Sequence, residues 1–244
     1  MLFLGQISFL NGWNRVTETD LLQIIADCIL RFRPKNLSES DELNYEQNIS
    51  DVLSLVPSLP RGLDVNLEFT GVRKFEYTTA SALFDLLDVS LLHGWIIDPQ
   101  QTELVKLLNG ISYNKLVEKV INLDDSNSES KLLRNFMENS SSQLTVHGLC
   151  ELSLSLTDGQ IAVLFRNNHF HTLYKHRDEL FVLVTDMGFL NEPSVVWETL
   201  NSVDGDSFFV DANFHTSLQT TKQDETAEYN GLLFLYIKNN LYII

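Results

Sequence analysis

The apolar run Ile161-Ala162-Val163-Leu164-Phe165 ends in the polar corner Arg166-Asn167-Asn168-His169, and a second apolar run, Leu180-Phe181-Val182-Leu183-Val184, follows. Two β-rich segments joined by a polar corner are what a hairpin requires, and a rigid sheet can hold an imidazole at the start of its return strand. His169 is therefore the first candidate for proton chemistry. Everything before this stretch patterns mainly as helix, so the chain changes character here.

Upstream, Thr17 and Thr19 can cap a helix whose apolar residues Leu21, Leu22, Ile24, Ile25, Cys28, Ile29 and Phe32 recur at helical spacing until Pro34 stops it. That pattern places Cys28 on a buried face. A second helix is expected from about Asn44 to Leu55, before Pro57 and Pro60. The alternation in Gly62 to Thr70 predicts a strand with Leu63, Val65, Leu67 and Phe69 on one face, and Leu91 to Gln100 reads as a strand or extended segment closed by Asp98-Pro99. Further helices are expected at 78–87, 102–108, 113–121, 129–139 and 144–156, with an acidic loop at Asp124 to Ser130 and a strand at Ser194 to Glu198. Helices first and strands last suit α+β layers in one domain better than a doubly wound sheet.

Charge and cysteine content exclude several classes. With 17 basic and 33 acidic side chains the net charge is −16, and no run of Lys and Arg offsets it, so nucleic acid is not an expected partner. Only Cys28 and Cys150 are present, which argues against a disulfide framework or a thiolate zinc cluster and for a reducing compartment, the cytoplasm. The apolar start is broken by Gln6 and Asn11, and the apolar end by Lys238-Asn239-Asn240, so neither a signal peptide nor a membrane span is expected.

The remaining chemistry is sparse. His169-x-His171 is the closest approach to a metal-ligand spacing and is too little for a site, so no metal or other cofactor is expected. A Cys-His hydrolase needs a thiol whose pKa can be lowered, typically at a helix N-terminus. Cys28 falls in mid-helix on an apolar face, and the apolar neighbours of Cys150 predict burial, so both read as structural. No Gly-x-Ser-x-Gly elbow, Gly-x-Gly-x-x-Gly turn or Walker loop occurs. From the residues alone, His169 has no partner.

A set of longer motifs goes further. Gly62-Leu63-Asp64-Val65-Asn66, Phe69-Thr70-Gly71-Val72, His93-Gly94-Trp95-Ile96-Ile97-Asp98-Pro99-Gln100, Ser112-Tyr113-Asn114, Gln143 to Leu152, Phe165-Arg166-Asn167-Asn168-His169-Phe170 and Val203-Asp204-Gly205-Asp206 occur in this order. Together they resemble the catalytic domain of the MINDY family of deubiquitinases. The resemblance implies a papain-like α+β fold over residues 1–215, followed by a divergent tail at 216–244. It implies cysteine-dependent hydrolysis of isopeptide bonds in lysine-linked polyubiquitin of the proteasome-targeting type, in the cytoplasm and also the nucleus. It further implies that His169 is the general base and that Asp64, Val65, Trp95, Tyr113 and Phe165 hold ubiquitin. Aromatic anchors suit such an interface, although periodicity alone reads Val65 and Phe165 as core.

One departure qualifies the resemblance. The family's nucleophile lies in a Gln…Asn-Gly-x-Cys segment at the start of its first helix, and no such segment occurs here. Leu2-Phe3-Leu4 resembles the remainder of that helix, and neither Cys28 nor Cys150 occupies the matching place. The expectation is a chain with base and binding surface but no nucleophile of its own, and so with negligible hydrolysis. The alternatives are an inactive polyubiquitin-binding module and a truncated product without stable function. Oligomeric state has no signature in the sequence.

Overall fold

The strand-rich end forms one sheet whose order follows the chain. In the computed structural model, which describes residues 16–31, 39–124 and 127–216, β2 (Ile161–Arg166), β3 (His169–His176) and β4 (Glu179–Leu183) form an antiparallel meander. β5 (Trp197–Thr199) and β6 (Phe209–Val210) extend it antiparallel on one side, and β1 (Leu91–Leu92) pairs parallel to β2 on the other. Both connections within the meander are two-residue turns. Asn167 and Asn168 have φ of 51° and 60°, and Arg177 and Asp178 have 49° and 64°, the paired left-handed conformations that match the twist of a tight hairpin. The expected strand from Leu180 is thus β4, and the return strand after the first turn is β3, with its own turn between them.

Seven α-helices lie among the described residues: α1 (Glu18–Arg31), α2 (Glu39–Leu55), α3 (Thr79–Leu86), α4 (Thr102–Leu108), α5 (Tyr113–Asn122), α6 (Ser128–Asn139) and α7 (Val146–Ser155). α1, α3, α6 and α7 start at side-chain caps. Thr17 Oγ1 accepts from the Asp20 amide at 3.1 Å, and Thr145 Oγ1 from the Gly148 amide at 2.9 Å. α1, α2 and α3 bury Cys28, Ile29, Val52 and Leu83 against one another, apart from the sheet.

α7 covers one face of the sheet through Leu152 and Leu156, which pack with Ala162, Leu164 and Leu173. Lys175 of β3, nearly buried, donates through Nζ to the carbonyls of Ser153 at 2.8 Å and Leu156 at 3.2 Å, so a cation closes the negative end of the helix. The other end of α7 rests on backbone. A Cβ at Gly148 would lie 1.8 Å from the Gly94 carbonyl oxygen, so only glycine permits this approach.

Three expectations change. Gly62 to Thr70 is not a regular strand: Leu67 and Glu68 make isolated bridges to Phe75 and Ser112, and Leu63 packs with the α1–α3 cluster while Val65, Leu67 and Phe69 pack elsewhere. Leu91 to Gln100 is regular strand only at β1, with a bridge from Gly94 to Leu144, and the amides of His93 and Ile97 donate to the carbonyls of Val72 and Phe69. The strand expected at Ser194 to Glu198 forms at Trp197–Thr199. Asp125 and Ser126 of the acidic loop, the apolar start and the tail from residue 217 lie outside the described residues. No helix among the described residues is long and apolar enough to cross a membrane.

Candidate functional site

Side chains alternate across a strand, so the register decides what His169 faces. It is the first residue of β3, exposed, and directly opposite Arg166 on β2. His171 lies opposite Leu164, and Val182 lies opposite both Leu173 and Glu198, so Arg166, His169, His171 and Glu198 share one face of the sheet. The turn between the strands is tied to the segment that leads into α7: Arg166 Nε donates to the Ser142 carbonyl at 2.8 Å, and the Asn167 amide donates to Gln143 Oε1 at 2.8 Å. An exposed imidazole on a turn anchored in this way keeps its direction without being buried.

Beside it, Arg166, His171, Asp186 and Glu198 line a cavity of about 330 Å³ whose apolar walls include Leu164, Val182 and Leu200. Burial, followed by the positive charges of His169 and Arg166, holds the His171 imidazole below the usual histidine range. Burial also lowers the Arg166 guanidinium, with Glu198 opposing the shift. A larger cavity of about 620 Å³, between α4, α6 and the start of α7, contains none of the candidate residues.

The residues expected to hold ubiquitin come together in part. Trp95 and Phe165 are core members of one cluster, 3% and 8% exposed, and Val65 and Tyr113 pack against it from the surface. The Trp95 ring lies 5.6 Å from Tyr113 and 6.0 Å from Phe136, and its Nε1 donates to Ser140 Oγ at 2.7 Å. Asp64 is exposed next to Val65. The accessible part of this set is Asp64, Val65 and Tyr113, and Trp95 and Phe165 support it from below. Phe165 and His169 point to opposite faces of the sheet, because Phe165 pairs with Phe170 and His169 with Arg166.

A node absent from the sequence reading joins these pieces. The Glu76 carboxylate accepts from Asn66 Nδ2 and Ser112 Oγ at 2.7 Å each and pairs with Lys115 Nζ at 3.0 Å. The hydrogen bonds from Ser112, Lys115 and Asn66 hold its pKa down to about 2. Asn66 Oδ1 accepts from the Asn114 amide, and the Tyr113 amide donates to the Leu67 carbonyl, so Val65 and Tyr113 are set side by side through Glu76. The only signal in the sequence was an acidic residue between two aromatics in Phe75-Glu76-Tyr77.

The two thiols are placed differently from each other. Cys28 is fully buried, with Arg31 donating to its Sγ at 3.7 Å. Cys150 is exposed, which corrects the expectation of burial. Gly148 and Leu152 define the face of α7 that packs on the protein, and two residues on a helix turn through roughly 200°, so Cys150 points away from it. Among the described residues no three potential ligands gather around a metal position.

A sequence model of the MINDY deubiquitinase family matches residues 1–214. The chain belongs to the MINDY deubiquitinase family. Bovine ubiquitin carboxyl-terminal hydrolase MINDY-1 is 47% identical over 207 residues, covering 83% of this chain and 44% of the relative. Human ubiquitin carboxyl-terminal hydrolase MINDY-2 is 48% identical over 221 residues, 88% of this chain and 35% of the relative, and zebrafish MINDY-1 is 45% identical over 217 residues, 87% and 42%. The chain therefore spans less than half the length of the curated relatives it matches.

Proposed function

We propose that residues 1–215 form a papain-like domain for cysteine-type hydrolysis of isopeptide bonds in lysine-linked polyubiquitin of the proteasome-targeting type, with 216–244 a divergent tail. His169 is the general base and Asp64, Val65, Trp95, Tyr113 and Phe165 form the ubiquitin-holding set. The nucleophile is neither Cys28 nor Cys150. In this chemistry His169 takes the proton of a thiol as the thiolate attacks the isopeptide carbonyl, then gives it to the leaving lysine amine, and water releases the acyl-enzyme. No cofactor takes part, and the protein works in the cytoplasm and the nucleus.

The observation that carries this reading is His169 itself, exposed at the first position of β3 beside an anchored turn. The placement of Cys28 under α1–α3 and of Cys150 on the outer side of α7 favours a second reading, an inactive polyubiquitin-binding module. Incubation with a ubiquitin-derived electrophile and with polyubiquitin separates the two. Negligible turnover and no adduct on Cys28 or Cys150 are expected for the chain alone. An adduct on either thiol overturns the assignment. Hydrolysis that survives Cys28→Ser with Cys150→Ser but is lost in His169→Ala would assign the nucleophile to another group.

A further inference from the structure

His171 takes no part in the proposed reaction, yet it shares a strand face with the base. The two rings project from β3 two residues apart, with centroids separated by 6.2 Å and planes at 67°. The charged and titratable groups that face His171 are Arg166 from β2, His169 from β3, Asp186 beyond β4 and Glu198 from β5. Two imidazoles this close, beside a half-buried guanidinium, repel when both are charged.

We propose that His171 is a positioning residue for the base: half-buried on the same strand face, it stays uncharged beside His169, so that the two rings do not carry charge together. This rests on the reading of His169 as the general base. Near neutral pH His171 is then an uncharged wall of the cavity, which does not oppose with a second charge the proton that His169 takes from a thiol. The larger causes acting on His171 agree in sign. Burial and the charges of His169 and Arg166 disfavour its proton, and the Arg166 backbone and Glu198 favour it more weakly. In acid, a proton on His171 would set two like charges side by side on this face.

Histidine resonances of the whole chain, followed by NMR from pH 8 to 4.5 and assigned with single His→Gln variants, test this directly. In His169→Gln the titration midpoint of His171 should rise by roughly half a pH unit or more, the size expected for like charges about 6 Å apart near a protein surface. His169→Lys, which keeps a positive charge, should leave that midpoint at or below its wild-type position. An unchanged His171 midpoint in His169→Gln, with a native-like amide spectrum, would overturn the coupling. Neither titration uses ubiquitin or a nucleophile. A failed coupling therefore leaves the assignment of His169 as base untouched, and an absence of hydrolysis leaves the coupling untouched.

Discussion

The hairpin that carries His169 and the cluster around Trp95 are built in opposite ways. The hairpin is one continuous piece of chain, residues 161–176, held by backbone ladders, with the His169 side chain left exposed. The cluster draws on Val65, Phe69, Trp95, Tyr113, Phe136 and Phe165, separated by up to a hundred positions in the chain, and its aromatic members are largely buried. A site of the first kind depends on turn geometry. A site of the second kind depends on every long-range contact that brings its pieces together.

The largest expected effect strikes the platform the two regions share. Gly148→Ala forces a Cβ against the Gly94 backbone, where no side chain can give way, and should destabilise the fold by about 3 kcal/mol or more in urea unfolding. Gly94→Ala should cost less, since its Cβ meets mainly the Leu144 side chain.

The next effect depends on pH and falls on the cluster side. Burial holds His93, adjacent to the Trp95 segment, down to about 4; its Nδ1 accepts from the Trp95 amide, and its Nε2 lies 3.1 Å from the Lys74 carbonyl. Because the folded pKa lies below the unfolded one, the unfolded state binds the proton first as pH falls below about 6.5. Stability should therefore drop by roughly 2 kcal/mol between pH 7 and pH 5 from this group alone. Denaturant titrations at the two pH values should show that drop, and His93→Gln should flatten it.

Glu76 acts in a lower window. Its folded pKa is depressed, so its contribution is present above about pH 4.5 and is lost as pH falls toward 2. Glu76→Ala should cost roughly 1 kcal/mol near neutral pH, by stranding the buried Ser112 hydroxyl, and should weaken polyubiquitin binding without altering the hairpin. The smallest effect belongs to the hairpin: Asn168→Gly, at a φ of 60°, should raise stability by about 0.5 kcal/mol in thermal unfolding.

These differences also mark what was legible in the sequence. The turn at Asn167-Asn168 was visible because asparagine tolerates the left-handed conformation, whereas Arg177-Asp178 takes the same conformation with a weaker signal and went unread. Capping threonines and helical spacing placed the helices. The segment at 62–70 read as a strand because it alternates, and 91–100 as a strand or extended segment, but their partners are helices and bridges that local pattern cannot specify. Cys150 was misread because its neighbours are apolar, and only the contact of Gly148 with Gly94 shows which face of α7 turns inward. The Glu76 node joins residues up to 48 positions apart through side-chain hydrogen bonds, for which periodicity carries no record.

If the base and the binding surface are separate constructions, they fail separately. The most direct measurement is the affinity for polyubiquitin of the proteasome-targeting linkage, determined side by side for wild type, Tyr113→Ala and His169→Ala. Wild type and His169→Ala should bind alike, and Tyr113→Ala should lose about tenfold, the scale of an aromatic anchor at an interface. No binding by the wild-type chain, or an equal loss in both variants, would contradict the account.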